Sequence, residues 1–185
     1  SNLVLRTLKV ARYEAENKGH FGIASKYYCH FTSPIRRYPD LFIHRIISNY
    51  LENNYDVPEK WLNTNVTQAE EKAKQSSERE KIATKVEREA QDLKKAEYME
   101  KRIGEEYEGI VSSVTSFGIF VELENTVEGL IRFEDLGNEY FIYDEDRKRL
   151  IGEKTNVTYQ IGDKVTIRVK NANKLLRQID FEIVK

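Results

Sequence analysis

The sequence predicts an α+β chain: a mainly helical N-terminal part, one long charged helix, and a five-stranded β-barrel at the C-terminal end. Three observations predict it. Residues 66–103 contain neither Gly nor Pro and alternate Glu with Lys or Arg throughout. Residues 104–185 then change period, with Val165, Ile167 and Val169 alternating against Thr166, Arg168 and Lys170. Residues 1–65 carry a proline-stiffened turn that leads into a stretch of helical periodicity.

In the first part, the pattern predicts a short helix from Leu3 to Tyr13, strands around Phe21–Ala24 and Tyr27–Thr32, and a helix from Tyr38 to Leu51. Leu41, Ile43, His44, Ile47 and Leu51 recur at helical spacing and are expected to face inward, with Arg45 and Asn49 outward. Asn53-Asn54 breaks the pattern. Two strands are too few for a complete domain. Ser1 is not an initiator position and Met99 is the only methionine, so the chain is expected to be an excised piece of a longer protein.

The second part reads as a helix over 66–103, with Thr64 or Asn65 as N-cap and Gly104 as terminator, roughly 57 Å long. Val66, Ala69, Ala73, Ile82, Ala83, Val86, Ala90, Leu93 and Ala96 mark a thin apolar stripe of small residues, suited to close packing on another body. The charges form a solvated face with i,i+4 pairs.

The third part holds five β-rich runs, Glu108–Val114, Gly118–Glu124, Val127–Arg132, Lys164–Lys170 and Arg177–Val184. Five strands in about 80 residues fit a small closed barrel of OB type.

Composition narrows the function classes. Cys29 is the only cysteine, which excludes an internal disulfide and a cysteine-based zinc site, and points to a reducing cytoplasm. No run approaches ~18 apolar residues and no signal-peptide pattern opens the chain, so a soluble protein with no membrane partner is expected. The net charge of −1 conceals a gradient. Nine basic residues oppose six acidic ones over 1–65, ten oppose nine over 66–103, and eleven oppose sixteen over 104–185. A general basic footprint for nucleic acid is therefore missing, and any RNA binding has to come from local patches and stacking.

The richest motif is His30-Phe31-Thr32-Ser33-Pro34-Ile35-Arg36-Arg37-Tyr38-Pro39-Asp40-Leu41. Pro34 and Pro39 restrict the backbone, Ser33 or Thr32 can cap the turn that begins at Pro34, and Arg36 and Arg37 offer planar donors to an anion. The alternative is that one arginine pairs with Asp40 and the other lies in water. With Gly19-His20-Phe21-Gly22-Ile23-Ala24 before it and His44-Arg45 after it, the block resembles the end of the catalytic domain of the RNB family, hydrolytic exoribonucleases that degrade RNA from the 3′ end. Gly109-Ile110-Val111, Ser116-Phe117-Gly118-Ile119-Phe120-Val121-Glu122-Leu123 and Glu128-Gly129-Leu130-Ile131 resemble an S1 domain, an RNA-binding barrel.

The resemblance implies a parent enzyme that uses magnesium held by clustered aspartates to release nucleoside 5′-monophosphates. Hard Mg²⁺ takes oxygen ligands and lowers the pKa of an attacking water. Residues 1–65 supply only Glu14, Glu16, Asp40, Glu52, Asp56 and Glu59, so the ligands are expected upstream, in a missing N-terminal part, and the fragment is expected to be inactive. The resemblance implies that Arg36, with Arg37 as second candidate, contacts the substrate phosphate. His20, His30 and His44 are expected to be structural, with hydrogen-bonded rings inside the fold. Asp144-Glu145-Asp146 lacks the spacing of a calcium loop and reads as a solvated turn.

For RNA binding by the barrel, alternation places Phe120 outside. It places Phe117 in the core unless a bulge at Gly118 turns it outward, as the resemblance implies. Arg132, Tyr140, Arg168 and Lys170 complete the candidate set. The family usually reads Gly-Leu-Val-His-Val-Ser after the third strand, where this chain has Gly129-Leu130-Ile131-Arg132-Phe133-Glu134, and Glu134 adds repulsion. Two other readings stay open: a non-catalytic RNA-binding adaptor whose helix docks on another protein, and a coiled-coil arm with an incidental barrel.

Overall fold

The computed structural model describes residues 11–184, and the chain divides between Lys85 and Val86 into two units. Most of the expected Leu3–Tyr13 helix lies outside the described residues, and Ala11–Tyr13 are not helical. The expected strands at Phe21–Ala24 and Tyr27–Thr32 do not form. Phe21–Ile23 is a single 3-10 turn, closed by one isolated bridge between His20 and Ser25. Among the described residues no second strand lies alongside to continue the pairing, so the segment closes on itself.

Helix α1 spans Tyr38–Glu52, with Pro39 in its first turn, where a missing N–H costs nothing, and with Asp40 favourably placed near the positive end of the helix dipole. Its buried residues are Asp40 and Phe42, whereas Ile47 and Leu51 of the expected inward stripe are exposed. The helix is covered at its start by the 31–37 loop rather than along a face. It ends where the Asn53 amide N–H donates to the Asn49 carbonyl at 3.2 Å.

Helix α2 spans Glu59–Glu100 and begins seven residues before the expected start, directly after Pro58. The expected N-caps are inside it. Thr64 Oγ1 and Asn65 Nδ2 each donate back at 2.8 Å to the carbonyls of Lys60 and Trp61, four residues earlier, an alternative use of the side chain that sequence pattern does not distinguish from capping. Of the small-residue stripe, Val66, Ile82 and Val86 are exposed, while Ala96 is fully buried against the barrel of this same chain.

The second unit is built on a closed barrel of β1 (Glu106–Thr115), β2 (Gly118–Leu123), β3 (Glu128–Arg132), β8 (Gln178–Ile183) and β7 (Lys164–Asn173), in that order around the wall. These are the five runs expected. β3 and β8 are parallel and the other pairings antiparallel. The connection between β3 and β7 holds what sequence reading missed: a four-residue helix α3 (Phe133–Leu136) and a separate sheet of β4 (Phe141–Asp144), β5 (Arg149–Gly152) and β6 (Thr158–Gln160).

Val111, Ile119, Val121, Ile131, Ile167 and Phe181 fill the barrel, and Met99 from the end of α2 joins the same core. Gly129 is required by packing, because a Cβ there would sit 2.4 Å from the Phe181 ring. The end of α2 is tied to the β7–β8 turn: Lys174 Nζ donates to Glu97 at 2.5 Å, the Lys174 amide N–H to Glu100 at 2.7 Å, and Arg177 pairs with Glu89 at 2.7 Å.

Candidate nucleic-acid interface

Two adjacent guanidinium groups in the first unit have opposite fates. The 34–36 turn is closed by the backbone N–H groups of Arg36 and Arg37, which donate to the Ser33 carbonyl at 3.2 and 3.0 Å. The bond is to the backbone, so the expected side-chain cap from Ser33 or Thr32 is replaced. Asp40, with no exposed surface, reaches back from α1 and accepts the Ser33 amide N–H at 2.8 Å and Arg37 Nη2 at 2.7 Å. Burial pushes the Asp40 carboxyl up, but the hydrogen bonds from Arg37 and from the Ser33 N–H outweigh it and hold the group below the usual range. Arg37 is thereby an anchor. Arg36 is exposed, and no ion pair holds it among the described residues. Its guanidinium is free to meet an anion from a turn fixed by its neighbour.

The histidines divide as well. His44 Nε2 lies 2.8 Å from the Phe31 carbonyl and its ring stacks on Phe31 at 4.2 Å, while His30 Nδ1 lies 3.3 Å from the Tyr13 hydroxyl. His20 departs from expectation: it is exposed, with its ring edge-on to Tyr28 at 4.7 Å.

On the barrel, Ser116 and Phe117 form the turn between β1 and β2, and Phe117 is 51% exposed. Strict alternation fails here because the chain reverses. Gly118 has φ +156°, and a Cβ on it would meet the Ile131 carbonyl oxygen at 2.2 Å. Phe120 is half-buried and edge-on to Phe117, with centroids 6.2 Å apart. In register, Phe120 lies beside Leu130, and Leu130 beside Asp180. Arg132 pairs with Gly118 across β2 and β3 and reaches Asp180 at 3.8 Å. Tyr140 is 68% exposed at the start of β4.

Arg168 and Lys170 are exposed on β7 as expected, but both already hold carboxylates. Arg168 donates to Glu106 at 2.7 Å and to Glu182 at 3.0 Å, and Lys170 to Asp135 at 2.6 Å. Both cations are driven further toward the charged form, chiefly by these bonds. Sequence reading missed the acidic partners. Alternation of Ile179, Phe181 and Ile183 would have pointed Asp180 and Glu182 outward, whereas Glu106 became a neighbour only through the β1–β7 register and Asp135 only through helix α3, which the sequence reading did not contain.

Asp144 accepts the Arg147 amide N–H at 3.1 Å and Arg149 Nε at 3.0 Å, closing the β4–β5 turn in which Glu145 and Asp146 are exposed. Among the described residues no three His, Cys, Asp or Glu side chains converge to hold a metal ion, so the donor set that magnesium would need is not assembled by them. Among the described residues no helix is long and apolar enough to cross a membrane.

The barrel and the turn before it define a class: an RNB domain is matched over residues 1–53 and an S1 RNA binding domain over residues 100–184. The chain carries the end of the one followed by the other. Its counterpart is the C-terminal portion of ribonuclease R. It is 47% identical to ribonuclease R 1 of Lactococcus lactis over 184 residues, covering 98% of this chain and 22% of that protein. The apo form of Mycoplasma genitalium RNase R is similar in structure, with TM-score 0.90 and 32% identity over 99% of this chain and 29% of that one. The same protein in complex with ribose methylated single-stranded RNA gives TM-score 0.89 and 32% identity, with the same coverage. The chain thus spans about a quarter of the length of the relatives it matches.

Proposed function

We propose that this chain forms the C-terminal part of a cytoplasmic, metal-dependent exoribonuclease that hydrolyses RNA processively from the 3′ end to nucleoside 5′-monophosphates. The magnesium ligands would come from the length of the relatives that this chain does not span. The observation that carries the reading is the succession of an RNB end and an S1 barrel along one chain, at 47% identity to a ribonuclease R. A relative solved with single-stranded RNA supports RNA as the ligand.

In this reading the S1 barrel gathers single strands. Bases stack on Phe117 and Phe120, with Arg132 beside them and Tyr140 as a further platform, while Arg168 and Lys170 border the face as latent contacts. Stacking is worth roughly 1–3 kcal/mol per base, or about 5- to 150-fold in affinity. It has to dominate in a barrel whose charge is net negative. In the first unit Arg36 contacts the substrate phosphate, where a fixed charge stabilises the transition state, and Arg37 positions the turn through Asp40.

Two measurements test this. RNA binding by the 185-residue chain, followed by fluorescence anisotropy, should weaken about 5- to 150-fold on Phe120→Ala. In the full-length gene product, Arg36→Ala should lower kcat by about 10²- to 10³-fold with RNA still bound. A full-length product that binds RNA without shortening it would leave the adaptor reading instead.

A further inference from the structure

Three exposed cations of the barrel, Arg132 on β3 and Arg168 and Lys170 on β7, are held unequally. Arg168 spans from β7 to carboxylates on both neighbouring strands, Glu106 of β1 at 2.7 Å and Glu182 of β8 at 3.0 Å. Lys170 is held at 2.6 Å by Asp135, whose side chain is only 10% exposed and whose second oxygen is buried without a partner. Arg132 reaches Asp180 only at 3.8 Å. A phosphate that takes Arg168 must displace two carboxylates and leave both beside the incoming anion. One that takes Lys170 strands a buried charge, which is costlier still. A base that stacks on Phe117 or Phe120 displaces no ion pair.

We propose that Glu106, Glu182 and Asp135 are specificity-determining residues: by holding Arg168 and Lys170 away from phosphate, they make the barrel select the accessible bases of a single strand over the uniform backbone of a duplex. This rests on the RNA-binding reading above. Arg132 is then the one cation of the three that a strand engages at little cost, so the barrel adds only about −0.7, the share of a single phosphate contact, to the salt slope of the wild-type chain. Sequence composition alone offers the weaker statement that an acidic domain repels RNA. The geometry assigns the effect to particular pairs.

The test uses the full 185-residue chain with two fluorescein-labelled probes, an oligouridylate strand and a blunt RNA duplex, titrated at several salt concentrations. Glu106→Gln with Glu182→Gln, which keeps side-chain shape while removing both charges, should steepen the single-strand salt slope by about 0.7 and tighten duplex binding about tenfold. Each single substitution should give an intermediate slope, and adding Arg168→Gln to the pair should return the slope to the wild-type value. An unchanged slope and duplex affinity in the double variant, with the single variants also unchanged, would overturn the proposal. The underlying reading fails separately: it falls if Phe120→Ala leaves single-strand affinity of the wild-type chain intact, whatever the slopes.

Discussion

In the second unit, apolar side chains from the end of α2 and from both sheets converge on one interior, whereas in the first unit Phe42 is the one apolar side chain buried among the described residues. Order in the first unit rests instead on polar clamps. Asp40 ties Arg37 and the Ser33 N–H, His44 meets the Phe31 carbonyl, and the Tyr13 amide N–H donates to Ser77 Oγ at 2.9 Å. The two units therefore present their functional groups by different means. Phe117 is aimed by a closed barrel behind it, while Arg36 is aimed by a charge pair next to it. Burial is distributed over many contacts and resists single changes at the surface; a clamp fails when one atom is removed.

The largest test of that contrast is the loss of a core ring from each unit. Phe181 is fully buried in the barrel, and Phe181→Ala should cost about 3–5 kcal/mol and raise hydrogen exchange along β1, β2 and β3 together. Phe42→Ala should leave exchange in those strands unchanged. Equal loosening of the barrel by both substitutions would contradict the division of the chain. Next comes Gly118→Ala, whose Cβ has nowhere to go against the Ile131 carbonyl. Overpacking of that kind costs about 1–3 kcal/mol, readable in urea denaturation. It should also move Phe117 and weaken RNA binding, which would sharpen the claim that the hairpin aims the ring.

The polar side of the comparison is probed by Asp40→Ala. Arg37 and the Ser33 N–H lose their acceptor, so amide exchange at Ser33 should accelerate while barrel amides do not respond. A turn that stayed protected would show that the prolines alone hold it. Two arginines in sequence look equivalent, and pattern offered the pairing of one of them with Asp40 only as an alternative, without saying which. The assignment of Arg37 as anchor follows from the carboxylate's reach back to Ser33, seven residues away.

The same limit explains what else was and was not legible. The five barrel strands were readable because each carries enough alternating positions to expose a period of two, as in Val165, Ile167 and Val169. β4, β5 and β6 are three or four residues each, too short to show a period, and they were absorbed into a connection. The start of α2 was misplaced because Thr64 and Asn65 serve equally as caps or as back-bonding residues within a helix. Alternation took Phe120 out of the core, although it is half-buried rather than fully outside, and Gly118 left open the outward position that Phe117 takes in the turn. The neutralisation of Arg168 could not, since Glu106 lies 62 residues away in sequence and meets it only across the β1–β7 register.

The smallest effect concerns the join between α2 and the barrel, where burial and a polar clamp operate on the same element. Ala96 and Met99 are buried, and between them Glu97 accepts from Lys174 and Lys94, which lowers its carboxyl from 4.5 to about 2. A carboxylate whose folded pKa is depressed contributes stability that is fully present above its unfolded value, and that contribution is lost as pH falls through the folded one. The window is therefore pH 4.5 down to about 2. Because the pair is exposed, solvent screens it and the contribution is small. Glu139 and Asp144 are also lowered, by bonds from Thr155 and from the Arg147 amide respectively, so acid lability as such does not isolate Glu97. The difference between wild type and Glu97→Gln does. Thermal stability of the two chains should differ slightly at neutral pH and converge as pH falls below the window. A gap that persisted at the acid end would mean that the side chain acts there by packing, and that burial alone joins helix to barrel.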